Sequence, residues 1–199
     1  MLGIDDIRSG LKGAVGLLRG DASAMRHFDV SFEGFWKSFF AILVILPVIL
    51  LYIHGEWETL ALADTRSGDP MDVPQSYGAF VLKRFVVTLV DWLAYPLIIL
   101  AMARPLGIEQ KVVPYIVAQN WSTIIVSAVV AVPGIMFGFG LMPGTIAGMM
   151  TLALFAFALR YFYLVARIAL DAPVSLAIGL VAFNAVSSIF LSQLAMRLI

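Results

Sequence analysis

The stretch FWKSFFAILVILPVILLYI, residues 35–53, decides the fold of this chain. Its only charged residue is Lys37, and as an α-helix rising about 1.5 Å per residue it matches the roughly 30 Å hydrocarbon core of a bilayer. The whole sequence has the same character, being 61% hydrophobic and 13% charged, with a mean hydropathy of +0.97. Soluble domains are about half apolar and about a quarter charged. We therefore predict an all-α membrane protein built as a polytopic helical bundle.

Four further apolar stretches follow, and proline, glycine or charged residues close most of them. The five predicted spans are about 35–53, 80–103, 112–132, 143–169 and 173–198. Asp171-Ala172-Pro173 is typical of a cap and first turn, and predicts where the last span begins. Between the first two spans, residues 54–79 are rich in carboxylates and contain two prolines, which predicts a polar outer loop. The bundle then comprises residues 35–199, preceded by a cytosolic segment, residues 1–34.

The N-terminal segment contains an amphipathic pattern over residues 4–19. One helix face is apolar and comprises Ile4, Ile7, Leu11, Val15 and Leu18. The opposite side carries the cations Arg8, Lys12 and Arg19. This arrangement is typical of a helix lying in the membrane surface, with its cations toward lipid headgroups. Three glycines in the segment each cost about 1 kcal/mol relative to alanine, so we expect the helix to form only when docked onto lipid or a partner.

The distribution of basic residues predicts the orientation. Eight lysines and arginines lie near the span ends on the side of the N-terminal segment, against four on the other side. Cytoplasmic loops are enriched in these residues. We therefore expect a bacterial inner-membrane protein with its N-terminus in the cytoplasm and its C-terminus outside.

Five polar side chains interrupt the predicted spans, namely Asp91, Gln119, Asn120, Arg160 and Asn184. Such residues cost several kcal/mol in lipid unless they find partners or water. Helix rise places Asp91 and Arg160 in one layer near the midplane and inner leaflet, so an ion pair between them is a testable hypothesis. The layer fits two interpretations: a polar site for an ion or headgroup, or interhelical hydrogen bonds that only stabilise packing.

Glycines spaced four apart predict close helix packing in the second half of the chain. Gly144 and Gly148 follow Pro143, and we expect them to share one face of the fourth span. The preceding stretch PGIMFGFGLMP, residues 133–143, is apolar but broken by proline and glycine. It predicts either an outer hairpin or a re-entrant turn that lines a cavity.

The sequence carries no signature of a catalytic or metal site. Cysteine is absent, and neither a nucleophile elbow nor a glycine-rich phosphate loop occurs. The two histidines, His27 and His54, flank opposite ends of the first span and are not expected to share a metal. Zero net charge gives no global signal for nucleic acid. We predict a protein that is not an enzyme and needs neither cofactor nor metal.

Several features of residues 35–195 resemble the Yip1-domain membrane proteins. They are a turn at Arg104-Pro105-Leu106-Gly107, a third span with a polar middle, Leu159-Arg160-Tyr161 and Val165-Ala166-Arg167 in the fourth span, and the small-residue turn Asp171–Ala177. The Asp-Leu-Tyr-Gly-Pro motif of eukaryotic members is absent. The resemblance therefore implies a scaffold or adaptor of the bacterial branch, a group without an established activity.

These observations leave three functional hypotheses. The first is a non-enzymatic scaffold, assembly factor or accessory subunit that contacts other membrane proteins, or itself, within the lipid bilayer. The second is a small transporter or channel component with the polar layer as its site. The third is a lipid-handling membrane enzyme.

Overall fold

The computed structural model of the protein describes residues 2–67 and 76–198, without the side chains of residues 62–67 and 195–198. Over these residues the chain forms helices and connecting turns, with no β-strand. The helices are α1 (Ile4–Leu18), a 3-10 helix (Ala22–His27), α2 (Phe32–Phe39), α3 (Ile42–Ser67), α4 (Tyr77–Met102), α5 (Val112–Gly138), α6 (Gly144–Ala169) and α7 (Val174–Leu198).

Five segments of this chain are helical, long and apolar enough to cross a membrane, as an integral membrane protein requires. They are Phe32–Ala61, Tyr77–Met102, Val112–Gly138, Gly144–Ala169 and Val174–Leu194. The predicted all-α bundle with five spanning helices is therefore confirmed.

The first span departs from its predicted limits at both ends. It starts as α2 and tightens at Phe40 and Ala41, where backbone hydrogen bonds join residues three apart rather than four. It then continues as α3 to Ser67, so the predicted outer loop is wrong for residues 54–67. Glu56 stays helical because its carboxylate pairs with Arg84 of α4 at 2.7 Å. The predicted loop is also wrong for residues 77–79, which form the start of α4, and residues 68–75 lie outside the described residues.

The third span also runs further than predicted. Helix α5 passes through Pro133 and ends at Gly138, so the first half of PGIMFGFGLMP is helical and not a hairpin or re-entrant turn. The helix is supported there by α3, since Gly138 faces Gly55 with almost no space between the two backbones. Only the short connection after Phe139, which contains Gly140 with a φ of 69°, turns the chain back.

Helix α5 occupies the centre of the bundle. It contacts α3 and α6 most extensively and also touches α1, α2 and α4. Residues 115–122 are buried on every side of the helix. Polar side chains in this stretch, Gln119 and Asn120, therefore lie in the protein interior and not against lipid.

The N-terminal segment packs onto one end of the bundle, which we call the proximal end. Helix α1 contacts α5 and α6, and the Tyr161 hydroxyl donates a hydrogen bond of 2.5 Å to the Ala14 carbonyl. Lys111, before α5, and Asp171, before α7, lie 3.3 Å apart at the same end. The opposite end, which holds the α3–α4 and α5–α6 connections, is the distal end.

Candidate functional site

A cavity of about 300 Å³ lies between the spanning helices. Each helix from α3 to α7 contributes to its wall. Its polar side chains come from α4, α5 and α7, and they are Thr88, Asp91, Gln119, Asn120, Thr123, Ser127, Asn184 and Ser188. Four of the five residues of the predicted polar layer thus face one space.

Helical spacing brings these polar groups to common faces. On α4, Thr88, Asp91 and Tyr95 are separated by three and four residues, and on α7 Asn184 and Ser188 are four apart. The Ser188 hydroxyl donates a hydrogen bond of 3.0 Å to the Asp91 carboxylate. Asp91 is therefore oriented by α7, although it belongs to α4. Thr88 and Ser188 were not predicted as site residues. Thr88 lies three residues before Asp91 and Ser188 four residues after Asn184, and this helical spacing is the sequence signal that could have identified them.

The two central amides of α5 have different environments. Asn120 is 3% exposed, and its Nδ2 donates a hydrogen bond of 3.0 Å to the hydroxyl of Ser38 in α2. Gln119 is 4% exposed, and its Oε1 receives no hydrogen bond from any described residue. Buried polar atoms are normally satisfied, so each exception calls for an explanation. Asn120 joins helices together, whereas Gln119 presents an unused acceptor beside the cavity.

The part of the cavity wall that the structure describes contains a single acidic side chain. Asp91 is the one charged residue among the described residues that line it, and none of the described ion pairs includes Asp91. A desolvated carboxylate without a countercharge is destabilising by several kcal/mol. The site is therefore suited to a positively charged guest. No group of three or more His, Asp or Glu side chains in the described part of the chain is placed to hold a metal ion.

Arg160, the fifth residue of the predicted layer, lies elsewhere. Its side chain is on the exposed face of α6 and does not line the cavity. The neighbouring residues Ala158, Leu159 and Phe162 turn toward the cavity instead. The hypothesised ion pair between Asp91 and Arg160 is therefore wrong, because α6 is rotated so that residue 160 points away from α4.

Aromatic side chains supply much of the remaining lining, and they are Trp92, Tyr95, Phe155 and Phe162. Two of them also form hydrogen bonds on the proximal side of Asp91. The indole Nε1 of Trp92 donates a hydrogen bond of 3.2 Å to the Phe39 carbonyl, and the hydroxyls of Tyr95 and Tyr115 are 2.6 Å apart. These bonds tie α4 to α2 and to α5 between the cavity and the proximal end.

On the distal side the cavity adjoins a second one of about 280 Å³. The two share four lining residues, Ile45, Ile49, Thr88 and Ser127. The second cavity is also lined by Arg84, which pairs with Glu56. The two cavities are therefore neighbours, and Thr88 lies at their common wall on the distal side of Asp91.

The predicted packing glycines of α6 have few neighbours. No atom lies within 4 Å of a methyl group placed on Gly148, and one placed on Gly144 meets only the ring of Phe137. The tight glycine contact is instead between Gly55 and Gly138, where α3 crosses α5. The small-residue spacing was present in both places, but only one of them meets another helix.

The surface helix α1 buries a different face from the predicted one. Its buried residues are Gly10, Gly13, Ala14 and Leu17. Of the predicted apolar face, Ile7 and Leu11 are partly buried and Val15 is 38% exposed. The cations Arg8, Lys12 and Arg19 are exposed. The glycines that weaken the isolated helix thus form the surface by which it docks onto the protein.

No known family model matches this sequence, and no curated protein or solved structure gives a significant match. The resemblance to Yip1-domain proteins stays a prediction.

Proposed function

We propose that this protein is a transporter or channel component that binds a small organic cation, one bearing an ammonium group, in the cavity around Asp91. The observation that carries the proposal is the Asp91 carboxylate, which has no countercharge among the described residues and lies in a cavity between spanning helices. Intramembrane ionisable residues of this kind commonly mark ion and substrate pathways.

The chemistry of the lining favours an organic ammonium ion. A single carboxylate balances one positive charge, and its oxygens can accept hydrogen bonds from an N–H donor. The faces of Trp92, Tyr95 and two phenylalanines attract cations through their ring quadrupoles. A volume of about 300 Å³ is at the small end of ligand pockets, which suits a compact amine.

The orientation of the protein forms part of the proposal. We place it in a bacterial inner membrane with the N-terminal segment in the cytoplasm, on the basis of the excess of lysine and arginine at the proximal end. The Asp91 cavity would then communicate with the outer side through the second cavity, and the bonds of Trp92 and Tyr95 would separate it from the cytoplasm.

Uptake of labelled methylammonium and tetramethylammonium into proteoliposomes tests the proposal. We expect saturable uptake by the wild type and a loss of at least about tenfold in Asp91→Asn, since a neutral amide leaves the guest charge uncompensated, worth about 1.4 kcal/mol or more. Asp171→Asn is the matched control, because this exposed carboxylate lies in the α6–α7 turn and its left-handed φ of 51° suits asparagine. Equal uptake by wild type, Asp91→Asn and empty liposomes would refute the proposal.

A specific observation favours a second candidate, the scaffold or accessory subunit. Arg160 is exposed on α6, about 14 Å from the proximal end of that helix, and none of the described ion pairs includes it. An acidic side chain of a neighbouring membrane protein would neutralise this charge. The predicted resemblance to Yip1-domain proteins also favours a scaffold or accessory subunit.

Site-specific photo-crosslinking in native membranes distinguishes this candidate. A photoreactive residue at position 160 is expected to yield a defined protein adduct, whereas one at the lipid-facing Leu152 is not. If both positions react only with lipid, Arg160 does not mark a protein interface.

A further inference from the structure

A basic cavity of about 420 Å³ lies at the proximal end, between α1 and the 3-10 helix. Its charged and titratable lining residues are Lys12, Arg19, Asp21, Arg26 and His27. Its apolar lining comes from Leu11, Val15 and Ala24. It is separate from the Asp91 cavity, with which it shares no described lining residue.

The cations of this cavity are not neutralised by ion pairs within the described part of the protein. Lys12, Arg19 and Arg26 are exposed, and the described ion pairs include none of them. The one carboxylate present, Asp21, accepts a hydrogen bond of 2.8 Å from the Ser23 backbone, and its hydrogen bonds with Ser23 lower its pKa. Three cations against one carboxylate leave a net positive cavity that suits an anion.

The walls are held in fixed relation by close contacts. A methyl group on Gly16 would overlap the side chain of Ala24, and one on Gly13 would overlap the ring of Phe28. The Ser9 hydroxyl donates a hydrogen bond of 2.6 Å to the His27 carbonyl. The backbone of α1 at Lys12 and Arg19 is therefore held in a fixed position relative to the backbone at Arg26 and His27.

Apolar surface lies directly beside the cations. Leu11 and Val15 line the cavity and belong to the apolar face of α1, whose outermost member, Ile4, is 79% exposed. A free phosphate ion has no apolar atoms to pack against this surface. The glycerol and acyl carbons of a phospholipid would contact and bury it. Arginine and lysine around a cavity are suited to phosphate oxygens.

We infer that this cavity binds the phosphate of an anionic phospholipid headgroup, with the adjoining part of the lipid on Leu11 and Val15. Such a lipid would join α1 and the 3-10 helix to the membrane surface at the proximal end. The inference does not depend on the proposed transport function.

Thermal unfolding of the full chain in a neutral detergent, with phosphatidylglycerol or phosphatidylcholine added to the micelles, tests the inference. We expect phosphatidylglycerol to raise the midpoint of the wild type more than phosphatidylcholine does, since a ligand that binds only the folded state stabilises it. The double substitution Arg19→Gln/Arg26→Gln should lose most of this difference. Arg104→Gln should keep it, because Arg104 is a 92% exposed cation at the same end that lies outside the cavity.

Three outcomes would overturn the inference: an equal response to both lipids, a full response in the double variant, or an equal response to inorganic phosphate at the same concentration. The last would assign the site to a soluble phosphate. Native mass spectrometry on the same samples counts retained lipids, and should show fewer on the double variant than on Arg104→Gln. Should the double variant not fold, Lys12→Gln, which removes one exposed charge, gives the same comparison.

Discussion

At the scale of single residues, one pair of glycines sets the crossing of α3 and α5. A methyl group on Gly138 would overlap backbone atoms of Gly55, which cannot rotate away as a side chain would. Small residues at such crossings let membrane helices approach closely and gain van der Waals contact. Gly148 of α6 has open space around it and is therefore a suitable control for Gly138.

We predict that Gly138→Ala lowers the free energy of unfolding by about 1–3 kcal/mol, because the added methyl group forces the two backbones apart. Gly148→Ala should be neutral or raise stability by up to about 1 kcal/mol, since alanine is the better helix former. Thermal unfolding of both variants in the same detergent measures the difference. Similar midpoints for the two variants would mean that the α3–α5 contact is not tight.

The polar residues of the cavity were easier to predict from the sequence than the contacts between glycines. Asp91, Gln119, Asn120 and Asn184 stood out because polar side chains are rare in apolar helices, and all four line the cavity. A glycine gives no comparable signal, since its role depends on which helix lies opposite. Gly144 and Gly148 have the same spacing as Gly134 and Gly138, yet only the latter two lie against α3.

At the scale of elements, helix α1 has three functional faces. Gly10, Gly13, Ala14 and Leu17 dock onto the bundle, where a methyl group on Gly10 would overlap the indole of Trp121. The apolar face with Leu11 and Val15 lies beside this surface, and the cations follow next around the helix. The first face holds the helix on the protein, and the other two are the faces that the inferred phospholipid would contact.

An ion pair helps to hold α1 in place and makes its docking sensitive to pH. Asp6 accepts a hydrogen bond of 2.8 Å from the Gly3 backbone and pairs with Lys37 at 3.1 Å, and these two contacts lower its pKa. A carboxyl group with a lowered folded-state pKa stabilises the fold above its unfolded pKa of about 4, and this contribution is lost as the pH falls through the folded value. Because the pair is close to solvent, its contribution to stability is small.

The chain has no cysteine, so the substitution Ile4→Cys introduces a single site for a spin label on α1. We predict that this label becomes more mobile when the pH falls below about 4. Asp6→Asn should show raised mobility already at neutral pH and a smaller acid-induced change. Asp5→Asn is the control, because Asp5 belongs to none of the described ion pairs and should behave like the wild type. Electron paramagnetic resonance spectra report the mobility, and coincident acid transitions in wild type and Asp6→Asn would contradict the assignment.

Existence and order of the spanning helices were predictable from the sequence, whereas their rotation was not. Length and hydropathy alone indicate a helix such as α6, but a helix that is apolar all round has no periodicity to show which face packs inward. Arg160 was therefore expected inside and lies outside. In α1, by contrast, the small residues Gly10, Gly13 and Ala14 and the following Leu17 lie at helical spacing, and this pattern would have predicted the docked face.

At the scale of the whole molecule, an odd number of spanning helices places the two termini on opposite sides of the membrane. We predict that reporters inserted after Arg19 and at Glu109 show a cytoplasmic location, and that reporters at Gly140 and after the C-terminus show an outside location. The basic residues of the proximal end are the physical reason. Alkaline phosphatase and green fluorescent protein fusions measure this, and a cytoplasmic C-terminus would contradict the arrangement.

The helical bundle brings polar residues that are far apart in the sequence to the wall of one cavity. Asp91, Gln119 and Asn184 come from three different helices and line this cavity. Two of the polar residues form bonds between helices, Asn120 to Ser38 and Asp91 to Ser188. Gln119 Oε1, by contrast, has no partner among the described residues.

Ammonium-dependent stability tests the central claim most directly. We predict that tetramethylammonium chloride, compared with sodium chloride at equal ionic strength, raises the unfolding midpoint of the purified protein. A hundredfold excess over the Kd stabilises by about 2.7 kcal/mol. Asp91→Asn should abolish this shift, and Asp171→Asn should retain it. A wild type that does not respond, or an Asp91→Asn variant that responds as the wild type does, would contradict a cation site at Asp91.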